Sequence, residues 1–258
     1  MKIKKRQAKL IELVRRQEKV SVDALASQLD ASRETIRRDL SQLAQSGKIL
    51  KVHGGAMMPH VMAEGPFKQR LSDFVDAKIE IAKTAAGLFV PGETLFIDTG
   101  STTLMFAEAI AAMAGLTIIT NSTEIARVIA GANSGSRAFL LGGEFSADSS
   151  QCVGTMAITQ IRAFRAHHAV LSVGALDARS GAMDYNIEEA QIARAMVEQS
   201  NSVTVLADSS KFTALASFAV CPLSQINRLV TEAAPPKETR AAFQDAGGEV
   251  IVAQGTRP

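Results

Sequence analysis

The sequence predicts two unlike folds in one chain. Residues 1–57 read as a helical head ending in a small β wing, a winged helix-turn-helix. Residues 76–258 read as an α/β body on a largely parallel sheet covered by helices, with residues 58–75 as the linker between them. Three observations predict this. Apolar residues recur at helical spacing in three short segments before residue 46. The charge divides in the same place: residues 1–56 carry 13 Lys and Arg against 6 Asp and Glu, a charge of +7, and the rest carry 15 against 20, a charge of −5. Beyond residue 90, short β-branched or apolar runs alternate with helical patterns, the signature of a parallel sheet with both faces covered.

In the head, Leu10, Leu13 and Val14 mark a first helix over about 6–17. Val20, Val22, Leu25, Ala26 and Leu29 give a second short apolar face, with Ser21 where an N-cap belongs. Asp30-Ala31 interrupts it, and Ser32 opens a third helix that turns Ile36, Leu40 and Leu43 inward and stops near Gly47. Two short helices joined by a tight turn, the second rich in arginine, form the helix-turn-helix arrangement. Arg33, Glu34, Thr35, Arg37 and Arg38 lie off the apolar stripe, near the end of the helix that reaches base edges in a major groove. Arginine holds guanine bidentately, worth roughly 1–3 kcal/mol against the wrong base. Lys4, Lys5 and Lys51 suit phosphates. The run 48–56 alternates apolar and polar residues and closes on Gly54-Gly55 as a wing, from which His53 can touch the DNA backbone. The candidate DNA contacts are therefore Ser32, Arg33, Glu34, Thr35, Arg37, Arg38, Lys51 and His53.

The linker contains Pro59, Gly65 and Pro66 and is partly helical near 67–74. In the body, a helix over 76–89 precedes strands at 94–97, 116–120, 138–141, 168–173, 203–207, 228–231 and 249–253, with helices at 102–114, 123–132, 154–164 and 187–200. Open α/β sheets bind ligands beyond the carboxyl ends of their strands. The loops there are Asp98-Thr99-Gly100-Ser101-Thr102-Thr103, Thr120-Asn121-Ser122, Gly142-Gly143-Glu144, Gly174-Ala175-Leu176-Asp177 and Asp208-Ser209-Ser210-Lys211-Phe212. Gly100 allows close backbone approach, and Ser101, Thr102 and Thr103 enter a helix whose free N–H groups favour an anion. Lys211 adds a point charge. Capping and turn chemistry explain each loop alone; their common position makes a shared phosphate cradle the better reading. Asp98, Asp184 and Glu189 are placed to bond sugar hydroxyls, with Asp177, Glu188 and Glu144 as weaker candidates.

Several classes fall away. Neither G-x-x-x-x-G-K-[ST] nor G-x-G-x-x-G occurs. Two cysteines, Cys152 and Cys221, are too few for a disulfide framework or a Cys-rich metal site and read as reduced thiols of a cytoplasmic protein. No window resembles a membrane span or a secretory signal. The reading therefore includes no cofactor, no metal and no membrane partner.

The run Ser32-Arg33-Glu34-Thr35-Ile36-Arg37-Arg38-Asp39-Leu40, followed by Leu43, Gly47, Ile49 and His53-Gly54-Gly55-Ala56, resembles the head of the DeoR/GlpR family of bacterial transcriptional regulators. Asp98-Thr99-Gly100-Ser101-Thr102-Thr103, Thr120-Asn121-Ser122, Gly142-Gly143, Glu189 and Asp208-Ser209-Ser210-Lys211-Phe212 resemble the family's sensor domain, which is similar in fold to ribose-5-phosphate isomerase. The resemblance implies that Arg33, Thr35, Arg37 and Arg38 belong to the DNA-reading helix. It also implies that Asp98, Gly100, Ser101, Thr102, Thr103, Asn121, Ser122, Gly143, Glu189 and Lys211 surround a phosphorylated sugar or polyol; Gly174 and Asp184 join them from the reading of the residues, which makes twelve expected effector contacts. One departure stands out: family members often carry Lys-Arg before Ala-Met after the glutamate, and here the run is Ala193-Arg194-Ala195-Met196. The expected function is repression of a carbohydrate or polyol catabolic operon by a homo-oligomer, a dimer or tetramer, that leaves operator DNA when the effector binds. The alternative is a sugar-phosphate isomerase-like enzyme using the same pocket. Against it, the isomerase-type lysine-glycine-glycine-glycine stretch is replaced by Ala178-Arg179-Ser180-Gly181-Ala182-Met183.

Overall fold

In the computed structural model, which describes residues 3–17, 19–45, 49–52, 54–57 and 65–253, the chain divides into two units, Met1–Val61 and Met62–Pro258. The first unit runs α1 (Ile3–Gln17), β1 (Lys19–Ser21), α2 (Val22–Leu29), α3 (Arg33–Gln45), β2 (Leu50–Val52) and β3 (Gly55–Met57). Local chemistry sets the boundaries. The Ser21 hydroxyl accepts from the Ala24 amide at 3.1 Å and starts α2, and Asp30 ends it in the left-handed conformation at φ 48°. Ser32 starts α3 by accepting from the Thr35 amide at 3.2 Å. Leu10, Leu25, Ile36, Leu40 and Ile49 are fully buried in one core with Val14, Val20, Leu29, Leu43 and Ala56. The wing pairs β2 with β3 as expected, and β3 also pairs with β1, so the sheet has three strands in the order β1-β3-β2. Three residues are too few for β1 to show a pattern in the sequence. Gly47 and His53 lie outside the described residues.

The second unit continues with α4 (Phe67–Ser72), α5 (Val75–Ala86), β4 (Thr94–Ile97), α6 (Ser101–Ile110), β5 (Thr117–Thr120), α7 (Thr123–Gly131) and β6 (Arg137–Leu140). Then come β7 (Glu144–Ser146), β8 (Gln151–Val153), α8 (Thr155–Arg162), β9 (Ala166–Ser172), β10 (Ala175–Asp177), β11 (Gly181–Asp184) and α9 (Ile187–Glu198). The chain ends with β12 (Ser200–Leu206), a 3₁₀ turn over Ser209–Thr213, β13 (Phe218–Cys221), β14 (Arg228–Thr231), α10 (Lys237–Asp245) and β15 (Glu249–Val252). Seven strands form one parallel sheet in the order β15-β14-β12-β9-β4-β5-β6. These are the seven that the sequence predicts.

Alternate strand residues serve opposite faces. Leu95, Ile97, Ile118, Val170, Leu206 and Val230 pack with α5, α6 and α7. Phe96, Ile119, Ala169, Leu171, Val205 and Leu229 pack with α8, α9 and α10. The sequence reading omits a three-stranded sheet, β10-β11-β13, and the hairpin β7–β8. Gln151–Val153 and Gly181–Asp184 are buried at every position, so neither alternates. It also omits α10, whose buried side consists only of Thr239 and Phe243. Residues 67–72, assigned to the linker, form α4 with Phe67 buried and pack against α6. Among the described residues, no helix is long and apolar enough to cross a membrane, and no group of His, Cys, Asp or Glu could hold a metal ion.

Candidate functional site

In the first unit the candidate residues sit on the outside of α3. Arg37 and Arg38 are exposed, as is Glu34, while Ile36 and Leu40 on the opposite side are buried. Arg33 pairs with Asp23 of α2 at 2.7 Å, both well exposed. Ser32 and Thr35 share a hydroxyl–hydroxyl bond of 2.8 Å at the start of the helix. Lys51 reaches from β2 to the Ser41 hydroxyl on α3 at 3.1 Å, which places the wing lysine beside that helix. Behind the reading face, buried Asp39 accepts two bonds from Arg6, at 2.5 and 3.2 Å, and so fixes α1 against α3. The sequence motif contains Asp39, but its partner lies 33 residues away and carries no local signal.

In the second unit a cleft opens beyond the carboxyl ends of β4, β9 and β12. Thr99, Ser101, Thr102, Ser172, Val173, Gly174, Asp184, Glu189, Leu206, Lys211 and Arg70 line it. The empty space within it is about 330 Å³, open solvent included. The turns at 98–103 and 208–212 therefore face one cavity. Of the twelve expected residues, Ser101, Thr102, Gly174, Asp184, Glu189 and Lys211 line it directly.

The other six do not line it. The Asp98 carboxylate accepts from the Ser172 amide at 3.0 Å. Burial pushes that carboxyl well above the ordinary carboxylate range, against the pull of the Ser172 amide, with Asp184 and Glu189 adding to the rise. Gly100 is required by closeness: a Cβ there would lie 1.8 Å from the Ser172 hydroxyl. The Thr103 hydroxyl donates to the Asp98 and Gly100 carbonyls. Asn121 accepts from Thr99 at 3.1 Å and donates to Gln151 and to the Cys152 carbonyl. Ser122 caps α7 by accepting from the Ile125 amide at 3.3 Å. Gly143 does not line the cleft: it adopts φ +156°, and a Cβ there would meet the Val153 carbonyl oxygen at 2.4 Å, so it serves the hairpin. Asp177, Glu144 and Glu188 are also absent from the lining; Asp177 instead accepts from the Arg179 and Ser180 amides.

Sequence reasoning missed Gln151, Ser172 and Arg70. Buried Gln151 donates to Glu189 at 2.6 Å and to Ser149 at 2.8 Å, which completes the chain Thr99–Asn121–Gln151–Glu189. It sits on a strand without a pattern. Ser172 ends a strand in a loop that the sequence reading begins two residues later. Arg70 belongs to α4, inside the stretch read as a linker. Its carbonyl receives the ammonium of Lys78, itself 3% exposed. Burial lowers the Lys78 pKa from its ordinary value, Asp208 pulls it back up, and Lys211 adds to the lowering.

The lining is chemically mixed. Lys211 and the first turn of α6, with its unsatisfied amides, suit an anion. Asp184 and Glu189 accept hydrogen bonds and suit hydroxyls.

Residues 73–233 match the DeoR C terminal sensor domain and residues 6–61 the DeoR-like helix-turn-helix domain. The chain is 30% identical over 249 residues to the HTH-type transcriptional repressor CsqR of Escherichia coli (strain K12), covering 96% of this chain and 95% of that one. It is 31% identical over 245 residues to the Glycerol-3-phosphate regulon repressor of the same organism, covering 95% and 97%. It is 31% identical over 252 residues to the HTH-type transcriptional regulator GolR of Listeria innocua, covering 96% and 98%. Among solved structures, ribose 5-phosphate isomerase A from Methanocaldococcus jannaschii matches 52% of each chain at 16% identity, with a TM-score of 0.38. A superposition that loose decides nothing about what the cleft holds.

Proposed function

The chain belongs to the DeoR family of DNA-binding transcriptional repressors, and on that premise we propose that a phosphorylated sugar or polyol releases it from its operator. It is a regulator and not an enzyme, and the isomerase alternative falls with the family assignment. In this reading residues 1–57 hold the operator and residues 76–258 sense the effector. The observation that carries the effector is the meeting of Ser101, Thr102 and Lys211 with Asp184 and Glu189 in one cleft. The phosphate lies at the lysine and the start of α6, and the hydroxyls face the two acids. One relative is named for a glycerol-3-phosphate regulon, which fits a small phosphorylated polyol and a catabolic operon here.

On the DNA side, Arg37 and Arg38 read base edges, with Ser32, Arg33, Glu34, Thr35 and the wing residues Lys51 and His53 beside them. The active species is a dimer or tetramer on half-sites spaced by whole helical turns. Release is a population shift: the effector binds the form that lets go of DNA more tightly than the form that holds it. A hundredfold loss of operator affinity needs about 2.7 kcal/mol of such preference.

The test is a thermal-shift panel on the full chain, pairing each sugar or polyol phosphate with its unphosphorylated parent. Only phosphorylated compounds are expected to raise the midpoint, by up to about 2.7 kcal/mol of stability at a hundredfold excess over Kd. Equal shifts from both members of each pair would remove the anion from the reading. Operator affinity is also expected to fall steeply with salt, because phosphate contacts release counterions.

A further inference from the structure

We propose that Arg70 is a second anion-binding residue of this cleft, and that by engaging the effector it passes occupancy to α4, the first helix after the linker in sequence. The proposal rests on the effector reading above and extends it to a residue outside all five strand-end loops. Arg70 and Lys211 line the same cavity, beside Thr99, Ser101 and Thr102. They come from parts of the chain 141 positions apart, so their meeting is a product of the fold.

The position of Arg70 is fixed from three sides. Phe67, one turn earlier, is buried, and the Arg70 guanidinium carbon lies 5.4 Å from the centre of its ring. The Lys78 ammonium, on α5, holds the Arg70 carbonyl. The helix itself packs against α6, whose first turn opens onto the cleft. Three cations, Arg70, Lys78 and Lys211, thus gather beside one cavity; Asp208 and Asp73 act on Lys78, and Asp184 and Glu189 share the lining with Arg70 and Lys211. The Asp208 carboxylate already accepts from the Ser210 amide and hydroxyl. This concentration of positive charge stands in a region, residues 57–258, whose net charge is −5. It is the local capture that an anion needs there. Guanidinium adds what an ammonium lacks, a planar fork that matches two phosphate oxygens.

An anion held between Lys211 and Arg70 ties α4 to the strand ends. The connection from the DNA-reading unit enters the second unit in sequence just before α4, so what restrains α4 restrains that entry point.

The experiment compares the full-length parent with R70A, R70K and K211A. Affinity is read by thermal shift with inorganic phosphate and glycerol 3-phosphate as probes and glycerol as the control. A duplex selected in vitro from random sequence reports DNA release. R70A is expected to lose about tenfold or more in affinity for both anions, in the range of a lost charge-assisted bond. R70K is expected to fall between R70A and the parent. Both variants are expected to keep the parent's melting midpoint without ligand, which shows that the second unit is folded, and to bind the duplex as the parent does. R70A at anion saturation is expected to stay on DNA when the parent has left. Parent-like anion affinity in R70A alongside loss in K211A would overturn the role of Arg70 and leave the effector reading intact. Weakened binding with normal release at saturation would overturn the coupling. A parent that responds to neither anion would overturn both proposals together.

Discussion

The two units place their candidate residues in opposite settings. On α3 the polar residues that face outward, Arg37 and Arg38, contribute nothing to the core, which Ile36, Leu40 and Leu43 complete from the other side. In the cleft the same residues that would meet a ligand, or stand directly behind it, also hold the fold together. Asp98 pins Ser172, Asn121 ties the loop after β4 to β8, and Asp208 shapes the turn that carries Lys211. Function and stability can therefore be separated by mutation in the first unit, whereas in the second the supporting residues Asp98 and Asn121 serve both.

The largest expected effect tests the first half of that contrast. Replacing Arg37 and Arg38 together by Ala should weaken binding to the selected duplex by a hundredfold or more, about 3 kcal/mol for two base-reading arginines, with an unchanged melting midpoint. A lowered midpoint would show that the reading face is structural after all. Gly100→Ala tests the second half. The new methyl meets Ser172, which should cost about 1–3 kcal/mol of stability and remove the phosphate response in one step.

Asp98→Asn should separate the two effects by pH. Burial raises the Asp98 pKa in the folded chain, so the folded state keeps a proton that the unfolded chain releases near pH 4. The parent should lose stability as pH rises from there through the raised value. The asparagine variant should lack that loss, which parallel melting curves across pH 4–8 will show. The smallest effect is expected from Asp23→Ala. Its pair with Arg33 is exposed, so stability should change by no more than about 0.5 kcal/mol. The freed arginine should tighten DNA binding slightly, as read by anisotropy.

The same contrast explains what could be read from the sequence. α3 declares itself because its apolar stripe, its Ser32 cap and its arginines all occur within 13 consecutive residues. The seven strands of the large sheet are legible because each is a short β-branched or apolar run, the first five of them alternating with helical patterns. The expected loops do end on one cleft, but their residues divide between lining and support, and no local pattern makes that division. Ser122 looks like Ser101 in sequence; it caps α7 while Ser101 faces the cavity. The helix near 67–74 was legible, but Arg70 was hidden because Gly65-Pro66 marks a break in the chain and nothing local joins that helix to strand-end loops far along the sequence. Gln151 was hidden because burial on every side erases the alternation that marks a strand.

Gln151 has a practical implication. The hydrogen bond that orients Glu189 comes from the hairpin over residues 144–153, which lies outside the seven-stranded sheet. On the proposed reading, one acid that would judge hydroxyls is held from this short hairpin, while the residues that would grip phosphate, Ser101, Thr102 and Lys211, stand at the strand ends of the large sheet. Retargeting this chain as a biosensor for a different polyol would begin with that hairpin and leave the strand ends alone.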